Sequence, residues 1–380
     1  MTTGATTTTT TPRPLPDTPH PVAGGWTLPA AWYSDEIVAE LERERIFART
    51  WQYAGHTDQV QGPGCFFVSV AGHIPVVVVR GRDEELRGFV NVCRHRGHPV
   101  LSGEGCRETF QCPYHAWTYD LDGSLRRAPR ADREPGFDAA GLSLLPVAVD
   151  AWGPFVFVNP DRDAAPLAES LGDLPALVAE SGVDLDAVRF HSHHEWEIKS
   201  NWKVAIENFL ECYHCPVAHP GFSKVIDVDP DAYELSVNGT FSSQIGRVRA
   251  SVLAGNGKSG YDPRGDVTQA QYHFLWPNTT IDIEVGPMNI AIERWVPTSL
   301  RTTVEVTDYF FPESVTEEQA QEVIEFGTQV GIEDLALCES VQAGLDSRTV
   351  TQGRLMLESE KLIHDFQLKV AGSLSASYNL

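Results

Sequence analysis

The chain has 380 residues, with 52 acidic against 29 basic side chains and a formal net charge of −23. That excess argues against nucleic acid and anionic membrane surfaces as partners, because both repel a negative chain. A hydrophobic fraction of 42%, with 9 Trp, 17 Phe and 10 Tyr, excludes a disordered chain and leaves material for two packed domains.

Residues 1–25 carry a Thr run and several prolines, lack the charged and apolar regions of a secretion signal, and read as a disordered tail. Residues 26–50 hold a short helical pattern that starts at Ser34 and turns Ile37, Leu41 and Phe47 inward. From Trp51 the texture changes to short β-rich runs, Cys65 to Val70, Pro75 to Arg80, Arg87 to Asn91 and Phe155 to Asn159, broken by Gly, Asp-Gly and Pro. These runs predict a small antiparallel β domain over 51–160. Residues 161–185, rich in Asp, Ala and Pro, read as a connector. Over 186–380 long helical periods mix with strands at Thr280 to Val285, Asn289 to Val296 and Thr302 to Phe311, which predicts an α+β domain: an antiparallel sheet flanked by helices. The longest apolar runs, such as Ile74 to Val79, fall far short of the ~20 residues that cross a bilayer. Seven cysteines, an odd number without a signal peptide, point to reduced thiols in the cytoplasm.

Two of those cysteines sit in loops that also carry histidine. Cys93-Arg-His95-Arg-Gly-His98-Pro is followed by Cys112-Pro-Tyr-His115-Ala-Trp117. Soft thiolates from Cys93 and Cys112 and imidazoles from His95 and His115 can close a structural zinc site or share two irons. Zinc fingers pair Cys with Cys and His with His, whereas here each loop supplies one of each. That division suits a [2Fe–2S] cluster with two Cys on one iron and two His on the other, and the spacing resembles the Rieske motif. His98 and Cys106, between the loops, read as packing or supporting residues, and His20, His56, His73, His191, His193 and His194 as surface or strand positions.

A second constellation lies in Asn201-Trp-Lys-Val-Ala-Ile-Glu-Asn-Phe-Leu-Glu-Cys-Tyr-His-Cys-Pro-Val-Ala-His219. Trp202, Ala205, Ile206, Phe209, Leu210 and Tyr213 make the apolar stripe of a buried helix, and Glu207, Glu211 and His214 stack beside it. Pro216 ends the helix near His214 and lets the turn bring His219 back to the same point. The plain alternative is a core helix with incidental polar groups; burying so many without a cation costs several kcal/mol. A redox Cys212-x-x-Cys215 pair is discounted for want of a βαβ context. An iron(II) oxygenase site needs two His and one carboxylate. Asp334, on a stripe with Leu337, Cys338, Val341 and Leu345, is the candidate third ligand, against the alternative of a helix-terminal charge near Gly331; Glu333 and Glu339 read as solvated.

With both constellations in view, the chain resembles the α (terminal oxygenase) subunit of the Rieske non-haem iron oxygenases, the ring-hydroxylating dioxygenase family, from Trp32-Tyr-Ser and Arg49-Thr-Trp-Gln-Tyr to Gln352-Gly-Arg354-Leu. The resemblance implies a Rieske cluster on Cys93, His95, Cys112 and His115, and catalytic Fe(II) on His214, His219 and Asp334. It makes Glu211, in place of the family's usual Asp, a bridge from His214 to His115 of the next protomer in a homotrimer. NAD(P)H electrons then arrive through a flavin/iron–sulfur reductase or ferredoxin, with O2 as co-substrate. The segments around Glu211 and Glu333 look most like the branch that demethylates glycine betaine or stachydrine, whose quaternary ammonium substrates aromatic faces bind; Trp276, Trp295, Tyr309 and Phe311 are candidates. Glu360-Lys-Leu-Ile-His364-Asp-Phe departs from that branch. The alternatives are an aromatic ring-hydroxylating oxygenase and a Rieske electron-transfer protein without oxygenase activity. Arg94, Arg96, Arg107, Arg126, Arg127 and Arg130 around the cluster loops are expected to receive an acidic reductase.

Overall fold

The computed structural model describes residues 19–255 and 260–375. Most of the expected tail, residues 1–18, lies outside them. Residues 19–25 dock on the body instead of trailing: Val22 is buried, His20 N donates to Gln352 Oε1 (2.8 Å), and the His364 ring lies 2.9 Å from the Val22 carbonyl. The next segment is a short α-helix, Glu36–Glu42, running into a wider π-type turn, Arg43–Phe47. Of the residues expected inward, Phe47 is buried and Leu41 packs half-buried on the core, while Val38, Glu42 and Ile46 are buried beside them and Ile37 is half-buried. Burying Glu42 has a reason: its carboxylate accepts from Lys203 Nζ (2.5 Å) and Trp202 Nε1 (2.9 Å), a paired charge that ties this segment to the site helix described below.

The first β domain contains β1 (Gln52–His56), β2 (Cys65–Ala71), β3 (Ile74–Arg80), β4 (Leu86–Val90), β5 (Glu104–Cys106), β6 (Phe110–Gln111), β7 (Thr118–Tyr119), β8 (Leu125–Arg127), β9 (Pro146–Trp152) and β10 (Phe155–Asn159). One antiparallel sheet runs β1-β10-β9-β4-β3-β2-β5, and β6-β7-β8 form a small separate sheet in which β6 and β7 flank the second Cys/His loop. The stretch 161–185 folds as two short helices, Leu167–Leu171 and Leu174–Glu180, whose leucines enter a core cluster shared with both sheets.

The second sheet follows as β11 (Val188–Ile198), β12 (Ile226–Asp227), β13 (Glu234–Asn238), β14 (Phe241–Val248), β15 (Gln269–Leu275), β16 (Thr279–Ile283), β17 (Ile290–Ser299) and β18 (Thr302–Pro312). Its order is β11-β18-β17-β16-β15-β14-β12, antiparallel throughout, with β13 also on β14. Strand periodicity gives it two unlike faces. Ile281, Ile283, Ile290, Ile292 and Phe310 pack against Tyr53, Phe155 and Phe157 of the β domain, while Asp282, Ala291, Glu293 and Tyr309 point the other way, under the long helix Glu317–Asp346. The fold is the expected α+β arrangement, and its second face holds the site.

Candidate metal centres and substrate cavity

In both Cys/His loops the chain turns by the same device. The N–H of the residue four positions after the cysteine, Gly97 or Ala116, donates to the cysteine carbonyl at 3.0 Å, and that residue takes a positive φ of 72° or 56°. The turns bury Cys93 and Cys112 and leave His95 and His115 exposed, with ring centroids 4.5 Å apart. His95 stacks on Trp117, and Tyr119 Oη lies 3.3 Å from Cys93 Sγ. Burial pushes the Cys112 thiol up and neighbouring Cys93 adds to it, so two thiols side by side in an apolar recess are an unfavourable pair unless a cation takes their charge. Sulfur donors on the inside and nitrogen donors on the outside of one recess fit two irons with separate ligand pairs. His98 lies outside the set and exposed, its ring tilted against Tyr114.

At the second constellation the helix Trp202–Phe209 stops five residues short of His214, where the spacing ends it. The predicted stack of Glu207, Glu211 and His214 therefore does not form, and Tyr213 is 59% exposed instead of sitting on the apolar stripe. Glu207 turns into the body, accepts from Tyr33 Oη (2.6 Å) and Gln367 Nε2 (2.9 Å), and is pushed by burial up to about 7. His214 and His219 flank a single helical turn, Cys215–Ala218, which brings their Nε2 atoms to 2.9 Å. Asp334, from the Glu317–Asp346 helix, places Oδ1 at 3.0 Å from His219 Nε2 and 3.4 Å from His214 Nε2. That helix buries Cys338 and Gln342, while Leu337 and Val341 of the predicted stripe are exposed.

Three donor atoms thus face a common point. Asp334 Oδ1 is buried and finds no aligned hydrogen bond despite its two near neighbours. Two ligand atoms about 2.1 Å from one metal and at right angles stand about 3.0 Å apart, so the separations match one face of an octahedron. Both imidazoles are already oriented for this. Glu211 Oε1 bonds His214 Nδ1 and Glu333 Oε2 lies 2.8 Å from His219 Nδ1, which keeps the proton on Nδ1 and the lone pair on Nε2. Burial works against charging His214, but Asp334 and Glu211 outweigh it and push the ring up to about 9; burial likewise opposes ionising Asp334, and the two histidines hold it down at about 2. The pocket is electrostatically set for a cation, and a divalent metal fits it. Glu333, expected to be solvated, instead anchors His219, and Asn208 bonds Asp334.

Four of the seven cysteines differ from the expected reduced state. Cys65 and Cys106, opposite each other on β2 and β5, are joined in a disulfide, as are Cys212 and Cys215 in the turn beyond the site helix. Cys215 Sγ lies within 4.8 Å of the ligand atoms of His214 and His219, but the disulfide removes it as a thiolate donor. Cys93, Cys112 and Cys338 are free and buried.

Residues 50–147 match the Rieske [2Fe-2S] domain family, and residues 185–376 match the ring hydroxylating alpha subunit (catalytic domain) family. The chain belongs to the Rieske oxygenase α subunits. It is 36% identical over 341 residues to the carnitine monooxygenase oxygenase subunit of Escherichia coli (strain K12), covering 88% of each chain. It is 33% identical over 375 residues to the chloroplastic choline monooxygenase of Spinacia oleracea, covering 94% of this chain and 82% of that one. A crystal structure of the quaternary ammonium Rieske monooxygenase CntA with L-carnitine superposes with a TM-score of 0.78 at 33% identity, covering 92% and 95% of the two chains. Naphthalene 1,2-dioxygenase, at 19% identity and a TM-score of 0.74, shares the fold. The protein is therefore an oxidoreductase that uses O2 and reductase-supplied electrons, with a Rieske cluster and a mononuclear iron.

In this Rieske oxygenase a cavity of about 150 Å³ opens onto His214, His219 and Asp334. Phe222, Tyr233, Tyr272, Trp295 and Tyr309 line it, together with Asp282, Glu284, Glu293 and Glu305 from the sheet. Of the four aromatics singled out from sequence, Trp295 and Tyr309 reach the cavity. Trp276 packs on Phe366, and Phe311 lies in a separate core cluster with its ring against His191. The sheet carboxylates went unnoticed in the sequence, where acids alternating with apolar residues read as a solvated strand face.

Proposed function

We propose that this Rieske oxygenase oxidatively N-demethylates or hydroxylates a small quaternary ammonium compound. The observation that carries the reading is the aromatic cavity over the His214, His219 and Asp334 cluster. A tetraalkylammonium head has no N–H to donate, so hydrogen bonds cannot hold it, whereas the faces of Tyr233, Tyr272, Trp295 and Tyr309 attract it as a cation. The likeness to enzymes named for carnitine and choline supports the same substrate class.

In this reading the domains span 51–160 and 186–380, Cys93, His95, Cys112 and His115 hold the cluster, and His214, His219 and Asp334 hold the iron. Ferrous iron at that position supplies reductive activation of O2. The protein's own part is to position. Glu211 and Glu333 fix the two Nδ1 protons, and the aromatic walls hold the ammonium head so that one N-methyl faces the ligand cluster. The methyl C–H is hydroxylated with consumption of O2, two electrons and two protons, releasing water. The resulting N-hydroxymethyl compound splits into a tertiary amine, formaldehyde and a proton. Glu211, whose Oε1 bonds His214 Nδ1 and whose Oε2 accepts from the Tyr213 and His214 backbone N–H groups, is the residue that would meet His115 of a second copy in a homotrimer, where electrons cross between subunits. A flavin/iron–sulfur reductase or ferredoxin supplies them from NAD(P)H.

Reconstituted enzyme is expected to contain about three irons and two acid-labile sulfides per chain, and to release one formaldehyde per O2 consumed with a trimethylammonium substrate. His214→Ala is expected to keep the cluster irons and lose the third. Ring hydroxylation of an aromatic hydrocarbon, with no amine-dependent O2 uptake, would overturn the reading.

A further inference from the structure

We infer that the substrate carries a net positive charge and no carboxylate, and that Asp282, Glu284, Glu293 and Glu305 select it by offering negative charge with no lysine or arginine among the described residues of the chamber to compensate it. The inference rests on the quaternary ammonium reading and narrows it.

Geometry makes the case. Asp282 on β16, Glu293 on β17 and Glu305 on β18 stand on the same face, each two residues out of register with the next, as the pairings Asp282–Ala291, Glu293–Thr307 and Trp295–Glu305 show. They form a diagonal row of carboxylates, extended at one end by Glu284. Every donor that the structure gives them is neutral: Tyr272 Oη to Glu284 (2.9 Å), Thr280 Oγ1 to Glu293 (2.5 Å) and Thr307 Oγ1 to Glu305 (3.2 Å). Asp282 Oδ1 is buried with no partner, and so is Gln244 Oε1 on the same wall. Among the described residues lining the cavity there is neither lysine nor arginine. Arg294, between two cavity residues in sequence, points through the sheet to Ser69 and the Ala54 carbonyl.

Unpaired acceptors in a buried chamber are costly, and an entering cation offsets that cost. Burial, with mutual repulsion at Asp282, Glu284 and Glu305, raises all four carboxyls, Glu284 and Glu293 to about 7 and Asp282 and Glu305 well above the ordinary carboxylate range, so the row is protonated in part when empty and its charge develops when a cation arrives. A zwitterion brings the same ammonium head but a carboxylate that finds no cationic partner among the described residues of the chamber and faces a row of its own kind.

Choline and glycine betaine test this directly, since both are trimethylammonium compounds with a two-carbon tail, ending in CH2OH or COO−. Calorimetric titration of the anaerobic iron-loaded enzyme is expected to show choline binding tighter by roughly tenfold or more. Asp282→Asn and Glu293→Gln are each expected to shrink that ratio. Equal or tighter binding of glycine betaine overturns the inference and leaves the quaternary ammonium reading standing, as does a ratio unmoved by both substitutions. Failure of choline, glycine betaine and tetramethylammonium alike to bind overturns both.

Discussion

A histidine offers Nε2 to a metal only while Nδ1 keeps its proton, and at His219 that condition is met by Glu333, one residue before Asp334 on the same helix. The helix thus presents two successive carboxylates to one imidazole, Asp334 beside Nε2 and Glu333 at Nδ1. Glu333→Ala removes the anchor without touching a donor atom of the cluster. Iron affinity, measured by competition with a chelator, is expected to fall between about tenfold and a hundredfold, while the absorption of the [2Fe–2S] cluster is unchanged. Glu333→Gln keeps an oxygen that can accept from Nδ1 and is expected to recover most of the loss. Equal loss in both variants would mean that charge, and not tautomer, is what Glu333 supplies.

Elements turn such residues into a site, and the Cys/His loops show how narrow their tolerance is. Gly97 and Ala116 occupy equivalent positions with left-handed backbone, and a Cβ on Gly97 meets nothing within 4 Å. Gly97→Ala is therefore expected to fold, keep its cluster and lose about 1 to 2 kcal/mol in denaturant unfolding, the cost of the left-handed conformation alone. Gly64, also left-handed, is different, because a Cβ there would run into the Arg107 carbonyl just beyond β5. Gly64→Ala is expected to disrupt β5 and lower cluster occupancy. The same contrast explains what sequence could reveal. Strands such as Phe155–Asn159 and Thr302–Pro312 announce themselves by composition, and the ligand candidates by spacing, because both are local properties. The early stop at Phe209, the Cys65–Cys106 pairing and the role of Glu333 depend on what lies across from them. The alternation Ile281-Asp282-Ile283-Glu284 is plain in the sequence, but only the long helix laid over it turns a face that reads as solvated into the wall of a cavity.

Across the whole molecule, part of the net charge of −23 belongs to the cavity. The groups facing it are Asp282, Glu284, Glu293 and Glu305 from the sheet, the Tyr233, Tyr272 and Tyr309 hydroxyls and the Cys338 thiol, all pushed by burial further above their ordinary values, and Glu211 and Asp334. In iron-loaded enzyme the histidines are held as ligands and do not titrate with them. For Glu293 the folded value of about 7 lies above the ordinary 4.5, chiefly through burial, so the folded state holds a proton that the unfolded chain has released. Its contribution is neutral below 4.5 and becomes a penalty as pH rises toward 7, after which the penalty is constant. Glu293→Gln carries no such proton. Relative to that variant, substrate-free wild type is expected to lose stability as pH rises from about 4.5 to about 7, and to lose no more above that, in parallel denaturant titrations. A cation in the chamber reverses the sign of the demand, since it favours the ionised carboxylate. The rise in melting temperature produced by a fixed concentration of choline is therefore expected to be larger at about pH 8 than at about pH 6 in wild type, and less pH-dependent in the variant. A choline-induced shift with the same pH dependence in both proteins would mean that the bound cation does not sense Glu293.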